Sequence, residues 1–169
     1  YNRPPNILVN CAGIVGFVPT LKETPETFRK ALEVNLMGVF FTSQAVCKEL
    51  IKANLPGSIV NVSSTSVLRG IEGLSAYTAS KAGVDGITKC MAKDMSEHNI
   101  RVNNVQPGGI ATEMASKLGK SMNSAVSWIS QLATKRLGQP QEVAEVITFL
   151  ASDRASYING ALIPVSGGY

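Results

Sequence analysis

Tyr77 and Lys81 are the two large proton-exchanging side chains in SAYTASKAGV, residues 75 to 84. On a helix, residues four apart share one face and meet over one turn. Tyrosine, with a pKa of about 10, is a poor base near neutrality, and a neighbouring ammonium stabilises tyrosinate and poises it for general acid and base work. Ser64 stands thirteen positions before Tyr77, at the mouth of an apolar run. A serine hydroxyl beside a tyrosine can donate to a carbonyl oxygen and steady the charge that develops there. Tyrosine and lysine at this spacing also occur on many exposed helices, so the elements that carry them must decide.

The apolar run Ile7 to Val9 reads as a buried strand ending in the small, polar turn Asn10-Cys11-Ala12-Gly13. Thr24 as N-cap, Pro25 at the first helical position and Phe28, Leu32 and Leu36 at spacing four predict a helix to about Lys52. After Asn54 and Pro56-Gly57, SIVNVSS reads as a second strand leading into a serine-rich loop. Val84, Ile87, Met91 and Met95 predict a helix from about Leu74 to Glu97, and IRVNNVQPGG a third strand with its turn. Residues 111 to 136 are weakly patterned and read as a mobile segment. Pro140 opens a last helix with the stripe Val143, Val146, Ile147 and Leu150, and ALIPV at 161 to 165 forms the final strand.

Strands alternating with long amphipathic helices imply one domain over residues 1 to 169, with right-handed crossovers and a mainly parallel sheet covered on both faces. Ligands of such sheets lie beyond the carboxyl ends of the strands. Those ends are Asn10 to Gly13, Ser63 to Ser66, Pro107 to Gly109 and Ser166 to Gly168, all small or polar enough for a ligand to approach the backbone.

With 44% hydrophobic and 17% charged residues and a mean hydropathy of +0.11, the chain is apolar enough to suggest extensive burial or a surface covered by partner subunits. The net charge of +4 is scattered, with no basic run longer than Lys135-Arg136, which argues against nucleic-acid binding. Cys11, Cys47 and Cys90 are far apart, and His98 is the one histidine, which fits free thiols in a reducing compartment and argues against a metal site. The apolar segment LMGVFF is far too short for a bilayer span, so a soluble protein is expected. The chain starts at Tyr1 and opens almost at once into a strand, as if the fold were entered midway.

Several separated motifs share one source. NCAG at 10 to 13, VNLMG around Asn35, NVSS around Ser64, YTASK at 77 to 81, NNVQPGGIAT at 103 to 112, RLGQPQEVAEVITFLAS and INGALIPVSGG occur in this order. In them the chain resembles the short-chain dehydrogenase/reductase family, closest in texture to 3-oxoacyl-carrier-protein reductases and type 8 estradiol 17-beta-dehydrogenases. The resemblance implies a Rossmann-like doubly wound sheet and an NAD- or NADP-dependent oxidoreductase that interconverts a carbonyl and a secondary alcohol, with a 3-oxoacyl or steroid-like substrate. Tyr77 would exchange the proton of the substrate oxygen, Lys81 would hold the nicotinamide ribose and lower the Tyr77 pKa, and Ser64 would orient the carbonyl. Asn35 would anchor a water linking Lys81 to solvent, although a buried amide among Val34, Leu36 and Val39 also reads as a satisfied core residue. The backbone around Asn10, Ala12 and Gly13 would flank the adenosine ribose, and Pro107, Gly108, Ile110 and Thr112 would contact the nicotinamide amide and phosphates. Residues of about 111 to 136 would form the substrate lid. The resemblance further implies a homo- or hetero-oligomer, a dimer through the two long helices or a tetramer through the last helix and strand, placed in the cytoplasm or mitochondrial matrix.

Two departures stand out. Ser166 takes the place of the usual aspartate before the paired glycines. The glycine-rich turn that receives the cofactor pyrophosphate is absent from the sequence, as is the residue that selects NAD or NADP. The implied fold thus lacks its first two strand-helix units, roughly 60 residues at ~30 per unit. The alternative expectation is a catalytically silent fragment that acts only through association with related subunits.

Overall fold

Strands β1 (Ile7–Asn10), β2 (Gly57–Val62), β3 (Ile100–Pro107) and β4 (Leu162–Val165) lie side by side in that order and all run parallel. The structure is a computed structural model that describes residues 3–116 and 132–168. The expected α/β sheet is present, and most of the expected lid falls on residues 117–131, outside the described residues.

Thr24 caps the first long helix as its sequence predicts, its hydroxyl accepting the Thr27 N–H at 3.2 Å with Pro25 at the first helical position. That helix is not uniform. It begins as α1 (Pro25–Leu32), widens into a π-helical turn over Glu33–Met37, and resumes as α2 (Gly38–Lys52). The short α3 (Ser66–Arg69) follows β2, and α4 (Ser75–Asp94) carries Tyr77 and Lys81. Helix α4 stops before the expected Glu97 because the chain tightens into a 3-10 turn at Ser96–His98 and then takes a left-handed conformation at Asn99, φ 56°. The last helix is α5 (Pro140–Ala151).

Alternation along β2 sends successive side chains to opposite faces. Ile59 joins Cys47 and Leu50 of α2, Met91 and Ala92 of α4, and Val102 of β3 in one core. Val60 joins Val105, Val143 and Leu150 in the other, beneath α5. Helices therefore cover both faces, but the crossovers are not alike. All three step across the sheet in the same direction, while α2 and α4 lie on one face and α5 on the other. The last crossover thus turns with the opposite hand to the first two, which corrects the expectation of right-handed crossovers throughout. The amphipathic stripe of α5 specifies that the helix is buried on one side, not which face of the sheet receives it.

A row of asparagines crosses the face under α2 and α4. Asn10, Asn61 and Asn104 are register neighbours on β1, β2 and β3, and all are buried. The Asn10 amide donates to Asn61 Oδ1 at 2.8 Å, and Asn61 donates to Thr88 Oγ1 of α4 at 2.9 Å. A buried amide is tolerated only with its partners in place, so this row fixes both strand register and the seating of α4.

Candidate active site

Tyr77, Lys81, Ser64, Asn35 and Gly13 converge at the carboxyl ends of β1 and β2. Lys81 is 4% exposed, and its Nζ donates to the Val62 carbonyl at 2.9 Å. An ammonium has three N–H donors, and no other hydrogen bond to Nζ forms among the described residues, which leaves two for a ligand. The same Nζ stands 5.8 Å from the centroid of the Tyr77 ring, so the one-turn spacing produces the expected pairing. The Ser64 hydroxyl hydrogen-bonds the Tyr77 phenol and also accepts the Ser66 N–H at 3.1 Å, which sets its direction.

Asn35 sits at the centre of the π turn and is fully buried. Its Oδ1 accepts the Ile14 N–H at 2.8 Å, and its Nδ2 donates to the Ile14 carbonyl at 2.9 Å and to Ser80 Oγ at 3.0 Å. Ser80 in turn donates to the Tyr77 carbonyl at 2.6 Å. Asn35 is therefore both a satisfied core amide and a clamp between the loop after β1 and the helix turn that bears Tyr77 and Lys81. Single π turns inside α-helices are frequent at functional sites. A Cβ placed on Gly13 would lie 3.3 Å from both Asn35 Oδ1 and Lys81 Nζ, so the bare glycine keeps open the space between amide and ammonium.

Burial decides the electrostatics. Desolvation pushes the Tyr77 phenol above its ordinary value, and the Ser64 hydrogen bond pulls it back in part. Desolvation lowers Lys81 to about 8, with Cys11 and Asp85 acting the other way. The expected lowering of Tyr77 by Lys81 is thus not found: burial sets the direction of the shift, and in the protein alone Tyr77 is a neutral acid.

The expected cofactor residues divide. Ala12 is exposed and Gly13 half-buried at the mouth, open to a ligand. Asn10 is 9% exposed, with its side chain bonded to Ser43, Asn61 and Thr42. Only its backbone faces the mouth. The Pro107 carbonyl accepts from Thr65 N at 3.0 Å, tying it to the serine loop, and Gly108 donates to Val165 and lies against Ser166. Ile110 pairs with Gly138, and Thr112 bonds Ile110 and Ala115. No hydrogen bond joins Ile110 or Thr112 to the Tyr77 cluster among the described residues. Ser80 and Asp85 were not singled out from the sequence, although Asp85 extends the Tyr77, Lys81 spacing by one more turn and was legible there. Among the described residues no three His, Cys, Asp or Glu side chains are grouped as a metal site, and no helix is long and apolar enough to cross a membrane.

A family model described as Enoyl-(Acyl carrier protein) reductase matches residues 3–169, nearly the whole chain. The chain belongs to the short-chain dehydrogenase/reductase family. Among curated members, it is 44% identical over 163 residues to the 3-oxoacyl-[acyl-carrier-protein] reductase of Thermotoga maritima, covering 96% of this chain and 65% of that protein. It is 38% identical over 168 residues to the (3R)-3-hydroxyacyl-CoA dehydrogenase of Canis lupus familiaris, covering 99% of this chain and 64% of that one. The chain thus spans less than two thirds of the length of these relatives. A solved structure described as a putative 2-deoxy-d-gluconate 3-dehydrogenase of Agrobacterium tumefaciens with bound NADP superposes with a TM-score of 0.92 at 33% identity, covering 96% of this chain and 66% of that one. This short-chain dehydrogenase/reductase is therefore Rossmann-like in fold.

Proposed function

We propose that this short-chain dehydrogenase/reductase carries the catalytic part of an NAD- or NADP-dependent enzyme that interconverts a carbonyl and a secondary alcohol, with Tyr77 as the general acid and base. The observation that carries the reading is Lys81, a buried ammonium beside the Tyr77 ring with two donors left over at a mouth lined by Ala12 and Gly13. That donor set fits a pair of ribose hydroxyls, which supports a nicotinamide nucleotide here; the nucleotide supplies hydride when bound. Tyr77, held neutral by burial, delivers its phenolic proton to the carbonyl oxygen. Ser64 donates to the same oxygen and orients it. Lys81, protonated below about pH 8, steadies the tyrosinate that forms. Reprotonation of Tyr77 runs through Lys81 and, across the space beside Gly13, a water held by the free lone pair of Asn35 Oδ1. In oxidation the same groups act in reverse, and that direction gains as pH rises.

The named relatives favour a 3-oxoacyl or 3-hydroxyacyl thioester as substrate over a steroid. Exposed Met37, Phe41 and Ile51 on the π turn and α2 support pairing of subunits through the long helices, and exposed Phe149 and Tyr157 support contacts at the α5 end. The test uses the protein with its upstream units. Tyr77→Phe, which removes the proton and keeps the ring, is expected to lower carbonyl reduction at least ~10²-fold; reduction at the parental rate sinks the assignment.

A further inference from the structure

Asp85 lies on α4 one turn beyond Lys81, as Tyr77 lies one turn before it, so the three share a helix face. Its carboxylate receives Asn104 Nδ2 at 2.5 Å on one oxygen and Gln106 Nε2 at 2.8 Å on the other, and Ser63 adds a hydroxyl hydrogen bond. Two donors come from the carboxyl half of β3 and one from the mouth of β2. Every one of these groups presents a hydrogen, an arrangement that suits an ionised carboxylate with its acceptor-only oxygens.

Ser63 matters because of its neighbours in the chain. Val62, just before it, accepts the Lys81 hydrogen bond, and Ser64, just after it, hydrogen-bonds Tyr77. Asn104 holds Ser63 twice, accepting its backbone N–H at 3.0 Å and donating to its hydroxyl at 2.9 Å. One amide thus grips both the Asp85 carboxylate and the segment that positions Lys81 and Ser64.

We propose that Asp85 is a positioning residue of the reaction, an anchored carboxylate that sets the protonation and height of Lys81 against Tyr77 and the serine loop. The inference rests on the reading of Tyr77 and Lys81 given above. Several ionisable groups face Lys81 or its anchor. Tyr77 and Asp85 come from α4 itself, Cys11 from the loop after β1, and Lys89, a turn further along α4, acts on Asp85. Burial drives Lys81 toward its neutral form, and Asp85 opposes that. Asp85 is itself raised by burial, with Ser63, Gln106, Asn104 and Lys89 countering the rise. The sign follows. Lys81 is protonated below about pH 8, so reductive kcat/KM falls as pH rises through that value, and loss of the Asp85 charge moves the fall to lower pH.

The experiment compares log kcat/KM against pH for the complete protein, Asp85→Asn and Asp85→Glu, with Tyr77→Phe alongside and Tm measured for each. The expected result is an alkaline limb displaced about half to one unit toward acid in Asp85→Asn, with Asp85→Glu returning most of the displacement. A purely structural clamp lowers Tm and leaves the limb in place; that outcome, with Tyr77→Phe inactive, overturns the Asp85 proposal alone. If Tyr77→Phe retains full activity, both readings fall. Should Asp85→Asn not fold, carbon-13 NMR titration of side-chain carboxyls in the unaltered protein decides: Asp85 ionised by pH 7 supports the proposal, and Asp85 still protonated there overturns it.

Discussion

Two cations grip backbone carbonyls at opposite ends of the same sheet, Lys81 buried and Arg101 half-buried. At the amino end, the Arg101 guanidinium donates to the carbonyls of Leu150 at 2.9 Å, Ile158 at 3.4 Å and Ser152 at 3.0 Å, closing the end of α5. At the carboxyl end, Lys81 donates to Val62 and holds two donors in reserve. Burial lowers the pKa of both, with Asp153 opposing it for Arg101 and Cys11 and Asp85 for Lys81. Arginine stays charged in any case, whereas a lysine held at about 8 changes charge within reach of neutral pH. A cation whose charge is fixed is a fastener, and one with a movable proton is a reagent.

Three substitutions test that contrast, from the largest effect on turnover to the smallest. Lys81→Met removes the reagent, and the expected loss of reductive kcat/KM in the complete protein is ~10²- to 10⁴-fold. The same change should raise Tm at pH 7. The folded pKa of Lys81 lies below its unfolded value, so the charged side chain costs stability below about pH 8, a cost relieved as pH rises toward 10.5. A lower Tm for Lys81→Met at pH 7 would show that the ammonium is a net stabiliser after all. Gly13→Ala places a methyl 3.3 Å from both Asn35 Oδ1 and Lys81 Nζ. The expected result is a roughly tenfold fall in kcat with little change in Tm, and unaltered kcat would mean that the space beside Gly13 carries no proton. Arg101→Leu takes the donor from the Ser152 carbonyl, while Leu150 keeps the Ser58 hydroxyl and Ile158 the Asn103 amide, and chemical denaturation should show a loss of about 1–3 kcal/mol. Its turnover at 25 °C should match the parent, and a large fall in kcat would tie the two ends of the sheet together.

The helix face of Tyr77 and Lys81 was legible because period and chemistry are both local: a spacing of four and two ionisable side chains. The strands were legible for the same reason, as apolar runs such as Ile59 to Val62 ending in small residues. Asn35 could be singled out but not its surroundings, since the bonds to Ile14 and Ser80 that favour a π turn come from residues 21 and 45 positions away. The direction of the Tyr77 shift is not legible, because a lysine at spacing four is visible in sequence and the depth of burial is not. Asn10 is expected at the ligand through its backbone, and what the sequence does not reveal is that its side chain is turned by its register with Asn61 into the row under α2. Asp85 was visible as a third member of the face, but its donors Asn104 and Gln106 belong to another strand, and only the fold supplies them.

The π turn has a consequence for how the chain tolerates change in length. Glu33–Met37 holds one residue more than a regular helical turn requires, with the Gly38 N–H reaching back five positions to Glu33. The surplus is absorbed locally, so Ala31 before it and Val39, Ser43 and Cys47 after it all stay on the buried side. A single-residue deletion here would let the two flanks wind as one uninterrupted helix without rotating either. The shortened chain would keep both flanks on the same core but draw Asn35 away from Ile14 and Ser80, so an edit of length at this turn costs the clamp together with the chemistry it serves.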